Sequence, residues 1–262
     1  MKLRTVRIRT KNPSAIPLRG QILVPFLSVA RLGSLTPLKS VFPNRDLSRI
    51  VECNTTDAIE NSRNKLRMKK CFTDYDIPQA IHWDSHLRFP TDTRELPYPI
   101  VAKKIYGFKA KGMKLLNSKE ELDSFISKTN LEGYFFEKFY NFGKEYRIHA
   151  TPEKAFLSWR KLRREDADQK WYFNSSNCNW VSEEHELFQK PSNWKELEQI
   201  ASLAIQSTGL DIGAVDIRIQ SSSSNPKYIV CEVNSAPQLG EVGVVHYIRE
   251  IKNLLVTKFN KL

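Results

Sequence analysis

The chain has little glycine, and what it has is scattered. Its 10 glycines in 262 residues form neither the G-x-x-x-x-G-K-[ST] of a P-loop nor the G-x-G-x-x-G of a dinucleotide fold. Its four cysteines, Cys53, Cys71, Cys178 and Cys231, include no C-x-x-C pair, so neither a zinc site nor a disulfide framework is expected, and reduced thiols fit a cytoplasmic setting. Five histidines show no H-E-x-x-H spacing, and no Ser-His or Cys-His nucleophile constellation stands out. The amino terminus is charged and lacks an apolar h-region, so no signal peptide is expected. The most apolar early stretch, residues 21–30, is interrupted by Pro25 and is too short to span a bilayer, so no membrane partner is expected. There is no repeat, and the only low-complexity run is the serines at 221–224. Acidic residues are also few: 29 Asp and Glu stand against 41 Lys and Arg, a net charge of +12.

A hydrophobic fraction of 40% and a mean hydropathy of -0.46 describe an ordinary chain able to build a core, as one large domain or a few small ones sharing a cleft. The positive excess points to anionic partners. It is dispersed, with modest clusters at 65–70, 103–114 and 160–164, which fits a solvated surface better than a nucleic-acid track.

Strands are expected at 6–8 and 21–27, separated by Pro13, Pro17 and Gly20. Asn61 or Ser62 can cap a helix carrying Lys65, Leu66 and Met68 that stops before Pro78. Residues 98–103 read as a buried strand, and Ser118-Lys119-Glu120-Glu121 as a capping box opening a helix with Leu122, Phe125 and Ile126 on its apolar face. Strands follow at 134–140, 145–150 and 155–160, then an irregular aromatic stretch at 161–190, the kind of segment that often acts as a lid. Trp194, Leu197, Ala201, Ala204 and Ile205 mark the clearest helix, 194–207, which Gly209 can end. Strands at 214–220 and 227–234 and a helix at 245–259 complete a mixed α+β class.

Residues two apart on a strand share a face, so Asp216 and Arg218 point one way, as do Glu232 and Asn234. In a hairpin, Asp216, Glu232 and Asn234 meet as three hard oxygen donors, a set that suits magnesium. Taken alone, the same pattern also fits a hairpin with a polar solvent face. Lys103 ends the apolar run Pro99-Ile100-Val101-Ala102 and can neutralise phosphate as a point donor. Gly107-Phe108-Lys109-Ala110-Lys111-Gly112 can fold over phosphates, or be a basic turn. Glu137-Lys138-Phe139-Tyr140 can present backbone to an adenine edge, and Glu145 can hold ribose hydroxyls; a salt-bridged strand is the plainer reading of both. Arg147, Arg160 and Lys161 can meet an anionic substrate or a terminal phosphate, or lie on the surface as free cations.

In their order along the chain these features resemble the ATP-grasp superfamily, over about 61–240. Asn64-Lys65-Leu66 with Asp76-Ile77-Pro78 resembles that family's first lysine and the segment after it, and Lys103 its second nucleotide lysine. Gly107 to Gly112 resembles the mobile loop, Glu137 to Tyr140 the adenine hinge, and Glu145 the ribose acid. Asp216, Glu232 and Asn234 resemble its metal residues, followed by Ser235-Ala236-Pro237. The branch with most in common is that of amino-acid and peptide ligases such as the ribosomal-protein glutamate ligase; short members occur in tailed bacteriophages, where Arg31-Leu32-Gly33-Ser34 would have counterparts.

The resemblance implies two lobes clasping ATP with magnesium or manganese. It divides the chain into a reduced amino-terminal region (1–62), a first lobe with the lysines and glycine loop (63–133) and a second lobe with the hinge and metal site (134–262). It implies a ligase joining a small-molecule or peptide carboxylate to an amine through an acylphosphate, with Arg147, Arg160 and Arg218 near the reacting groups, in the cytoplasm (a host's, if phage-encoded). Two alternatives stand beside it. A lysine nucleotidyltransferase needs Lys-x-Asp-Gly, whereas Lys103 is followed by Lys104-Ile105-Tyr106. A basic nucleic-acid-binding protein fits the charge but lacks an RRM, KH or helix-turn-helix signature.

Overall fold

The computed structural model describes residues 5–7, 27–84, 95–174, 176–221 and 224–260, whose strands form three sheets. The first is parallel: β1 (Thr5–Arg7), β2 (Leu27–Ala30) and β3 (Ile50–Cys53), in that order. Of the two strands expected early, Ile8 and residues 21–26 lie outside the described residues; the described part of the second begins at Leu27 and runs on to Ala30. A one-turn helix, α1 (Leu38–Val41), lies between β2 and β3.

Two helices follow where one was expected, α2 (Thr56–Arg63) and α3 (Lys65–Asp74). Asn64 divides them. Its backbone is extended, and its side chain accepts from the N–H groups of Leu66 and Arg67, capping α3 immediately before Lys65. Asn61 and Ser62, the expected caps, have other partners: the carbonyls of Thr208 and Ile59. Met68 and Phe72 project from α3 into the core shared with α5, so this helix is seated on the largest sheet.

The second sheet is antiparallel, in the order β4 (His82–Asp84), β7 (Tyr134–Lys138), β5 (Ile100–Lys104), β6 (Lys114–Leu116). Helix α4 (Lys119–Lys128) covers it, packing Leu122 against Ile100, Ala102, Leu116 and Phe136. Ser118 caps α4 as expected, accepting from the Glu121 N–H, while the Glu121 carboxylate reaches back to the N–H of Asn117. Because β7 pairs with both β4 and β5, the sheet that carries Lys103 runs on past residue 133, the expected end of the first lobe.

The third sheet is also antiparallel, in the order β10 (Cys178–Ser182), β9 (Ala155–Arg163), β8 (Lys144–Ala150), β11 (Gly213–Ile219), β12 (Tyr228–Asn234). The stretch 161–190, read as irregular, thus supplies the end of β9 and all of β10. An edge strand of five residues has little alternation of its own and is defined by pairing with β9. Helix α5 (Trp194–Ser207), as expected from its apolar face, buries Leu197, Ala201, Ala204 and Ile205 against the sheet. Fully burying a Leu or Ile side chain contributes about 1.5–3 kcal/mol.

Helix α6 (Gly240–Phe259) starts five residues earlier than expected, Gly240 at φ 60° turning the chain into it. Its Tyr247, Ile251 and Leu255 pack with Ala30, Val51 and Cys53, tying the parallel sheet to the rest. Buried Asn54 completes the tie: its amide donates to the carbonyls of Arg31 and Ile212, and its carbonyl accepts from Asp211 and Ile212. Among the described residues no helix is long and apolar enough to cross a membrane.

Candidate active site

Strand alternation assigns the two faces of the five-stranded sheet. Tyr146, Ile148, Ala150, Val215, Ile217 and Ile219 are buried in the α5 core. Glu145, Arg147, His149, Asp216 and Arg218 therefore project from the opposite face. The hairpin register sets Asp216 opposite Glu232 and Ala214 opposite Asn234; Cys231 is the extra residue of a bulge directly after.

Asp216 is 2% exposed and held from two sides. Arg147 donates Nε to Oδ1 and Nη2 to Oδ2, each at 2.7 Å, and Lys161 donates to Oδ2 at 2.9 Å. Burial opposes ionisation, but the two cations outweigh it and hold this carboxyl well below the usual carboxylate range. Lys161 also donates to Glu145, whose other oxygen accepts from Arg218 at 2.9 Å, so Glu145 is tied into the same buried network. Trp180 of β10 lies against both donors: Arg147 is 4.9 Å and Lys161 5.1 Å from its ring centroid. Arg160 is not part of the cluster. It pairs with Tyr146, lies over that ring and donates to Leu187 and Gln189, on the α5 side of the sheet.

The facing sheet brings the lysines. The Lys103 ammonium donates to Glu137. Lys69, from the next turn of α3 after Lys65, lies 3.3 Å from the other Glu137 oxygen. Burial alone would raise the Glu137 pKa; the two ammoniums win and bring it down to about 2. Lys65 donates to the Gly107 carbonyl at 2.8 Å and stands 3.8 Å from Glu232. That one side chain spans from the glycine loop to β12. In the loop, Gly112 takes φ 76°, and Lys109 and Ala110 at the tip also adopt the left-handed region, a strained choice for residues with a Cβ. In the hinge segment, the N–H groups of Lys138 and Phe139 are engaged with the carbonyls of Ile81 and Pro99, and Lys138 lies over the Tyr140 ring.

The segment after β9 folds over the cluster. Arg163 and Arg218 lie over Phe173 at 4.5 and 5.1 Å, Arg218 donates to the Trp171 carbonyl, and Trp171 meets Phe139 edge to face. Asn174 donates to the Lys109 carbonyl, joining this segment to the glycine loop.

Three residues around this cleft escaped sequence reasoning. His149 continues the i, i+2, i+4 series from Glu145 and Arg147, a signal that was available. Burial, then the Arg147 charge, bring its pKa down to about 3; its Nδ1 meets the Tyr247 hydroxyl at 3.0 Å. Lys69 sits four residues after Lys65, but Lys70 beside it is exposed, and sequence alone does not tell the two apart. Trp180 was hidden in the stretch read as irregular.

The donor set fits a hard divalent cation. Asp216 is paired with Glu232, Asn234 two residues on donates its amide to Glu232 at 3.4 Å, and the Glu232 side chain is 35% exposed. Of the roughly four lone-pair sites on a carboxylate, Asp216 has three occupied, leaving one on Oδ1. With every group ionised, Lys65, Lys69, Lys103, Arg147, Lys161 and Arg218 exceed Glu137, Glu145, Asp216 and Glu232 by two positive charges. A triphosphate with about four negative charges and one divalent cation would neutralise that surplus.

Two facing antiparallel sheets, one carrying lysines and a glycine loop and the other a carboxylate hairpin, make up the ATP-grasp fold, and this chain has that fold. No protein-family model matches the sequence, and no curated protein does. Solved structures do. The D-alanine–D-alanine ligase of Bacillus anthracis complexed with ATP superposes with a TM-score of 0.59 at 16% identity, over 89% of this chain and 78% of that one. The ATP-grasp ligase PsnB complexed with minimal precursor gives 0.56 at 14%, over 85% and 68%. N5-carboxyaminoimidazole synthase of Aspergillus clavatus, in complex with ADP and 5-aminoimidazole ribonucleotide, gives 0.55 at 15%; the match covers 80% of this chain but spans only 52% of that one.

Proposed function

We propose that this protein is an ATP-dependent ligase that joins a small-molecule or peptide carboxylate to an amine. The observation that carries the reading is the reach of Lys65, whose ammonium bridges the glycine-loop carbonyl of Gly107 and the carboxylate of Glu232. Phosphate-loop, lysine and metal-type residues thereby converge on one cleft between two sheets, the arrangement phosphoryl transfer requires. The similar solved structures, bound to ATP or ADP, support the nucleotide.

In this reading Lys65 and Lys103 neutralise the phosphates. Residues 107–112 close over them, and residues 137–140 line the adenine edge. Glu232 and Asn234, with the free position on Asp216, would hold magnesium, which when bound supplies charge neutralisation between phosphates. Arg147 and Lys161 keep Asp216 ionised and oriented. Arg218, through Glu145, fixes the wall nearest the hinge. A substrate carboxylate oxygen attacks the terminal phosphorus, the bond to the bridging oxygen breaks, and ADP leaves. An amine nitrogen then attacks the acyl carbon, phosphate departs with the electron pair of the broken C–O bond, and the amine loses a proton. The chain need supply no nucleophile of its own; it positions and neutralises.

The test is phosphate release from ATP with magnesium across a matrix of amino acids and short peptides, offered singly and in pairs. Release that needs one carboxylate and one amine together is the expected result. ADP formed alongside a stable phosphorylated product, or no release with any pair, would overturn the ligase reading.

A further inference from the structure

Lys69 has no place in that mechanism, yet it is 1% exposed, and a lysine is one of the most expensive side chains to bury. It comes from α3, whose Met68 and Phe72 are fixed in the core of the five-stranded sheet. Its ammonium, however, points across to the four-stranded sheet and stands 3.3 Å from Glu137. Glu137 already has a cation, since Lys103 donates to its other oxygen. Two lysines therefore share one buried carboxylate. The second contact is the weaker one: Lys69 Nζ lies 3.3 Å from the Glu137 oxygen facing it, longer than a normal N–H···O hydrogen bond and poorly aligned. Burial lowers the Lys69 pKa and Glu137 opposes that shift; with Lys103 already on the same carboxylate, Lys69 is a second lysine at a one-charge partner.

That redundancy has a use once an anion arrives. Lys103 has two further N–H donors for a phosphate, but drawing its charge toward that anion weakens its hold on Glu137, and a buried carboxylate losing its counter-ion carries a large penalty. We propose that Lys69 is the standby counter-ion of Glu137, a positioning residue that takes over the carboxylate when Lys103 moves to the phosphates of the bound nucleotide, and that it thereby sets phosphate affinity without touching phosphate. This rests on the nucleotide reading above. Lysine suits the task. A compact ammonium on a flexible stem can turn through a small angle to complete its hydrogen bond, whereas a guanidinium fixed on two atoms is slower to trade partners. The exchange also links the two sheets, since Lys69 is anchored on one and Glu137 on the other.

Binding of ATP, ADP and adenosine to the full chain, measured by calorimetry, tests this with Lys69→Met, Lys69→Gln and Lys69→Arg. In Lys69→Met, Lys103 stays on Glu137, so ATP and ADP should bind about 10–100-fold more weakly. Adenosine, which has no phosphate, should bind as to wild type. Lys69→Arg should recover most of the loss. Lys69→Gln should behave as Lys69→Met and serves if the apolar variant does not fold. Equal weakening of ATP and adenosine would mean a structural role and overturn the inference, as would ATP binding that Lys69→Met and Lys69→Gln leave unchanged. A wild-type chain that binds none of the three would instead overturn the nucleotide reading itself.

Discussion

Two buried carboxylates, Glu137 and Asp216, face each other across the cleft, and each is held by two cations. Their partners differ in kind. Asp216 is gripped by a two-pronged guanidinium at 2.7 Å on both oxygens, with Lys161 added and Trp180 against both donors. Glu137 is held by two lysines, one hydrogen-bonded and one merely near. The first arrangement is rigid, because a planar fork on two oxygens admits one geometry. The second, two point charges on flexible stems, fixes no single geometry. Within one cleft, one carboxylate is clamped and the other is held loosely.

The largest effect should come from breaking the rigid side. Asp216→Asn leaves buried Arg147 without its carboxylate and Lys161 with Glu145 alone. It should lose ATP turnover and also about 3–5 kcal/mol of stability in a urea titration. Glu232→Gln, at a partly exposed position, should lose turnover with the unfolding midpoint unchanged. The same result for both variants would erase the distinction between the buried and the open half of the hairpin.

Acid should separate two contributions. His149 has its pKa depressed from 6.5 to about 3, so it is buried neutral; the stability it supports is present above about 6.5 and is lost as pH falls from there toward 3. Glu137, depressed from 4.5 to about 2, supports roughly 3 kcal/mol that is present above about 4.5 and lost as pH falls toward 2. His149→Gln should flatten the stability profile between pH 6.5 and 4.5 and keep the loss below it. Unfolding midpoints across that range give the answer, and a variant with the wild-type slope would disprove the His149 assignment. The smallest effect should be Ser118→Ala at the cap of α4. It should cost about 1 kcal/mol with turnover unaltered, since α4 packs on the side of its sheet away from the cleft.

Much of the fold was legible where a residue's role is local. Helix 194–207 follows from its own apolar face, and the final hairpin from period-two alternation ended by Asn234. Ser118 acts as a cap because capping needs only the next three residues. Local rules failed where a neighbour decides. Asn61, Ser62 and Asn64 are all competent caps, and tertiary partners of the first two leave the task to the third. Strand β10 exists because β9 lies beside it. The site divides in the same way. Lys65, Lys103, Asp216, Glu232 and Asn234 are proposed because their order resembles that of ATP-grasp proteins. That Arg147 faces Asp216 while Arg160 faces Tyr146 follows from the pleat and from which face α5 covers.

The sequence by itself determined the order of the parts: a lysine on a helix, a lysine on an apolar strand, a glycine-flanked loop, and a hairpin with three oxygen donors. Those depend on propensity and alternation over a few residues. Which cation serves which carboxylate was decided only by the tertiary structure. Lys69 and Lys70 are adjacent and chemically identical, yet one is buried beside Glu137 and the other pairs with Asp74 in solvent. Burial sets the strength of a charge interaction, and burial depends on what packs above a residue rather than on what precedes it in the chain.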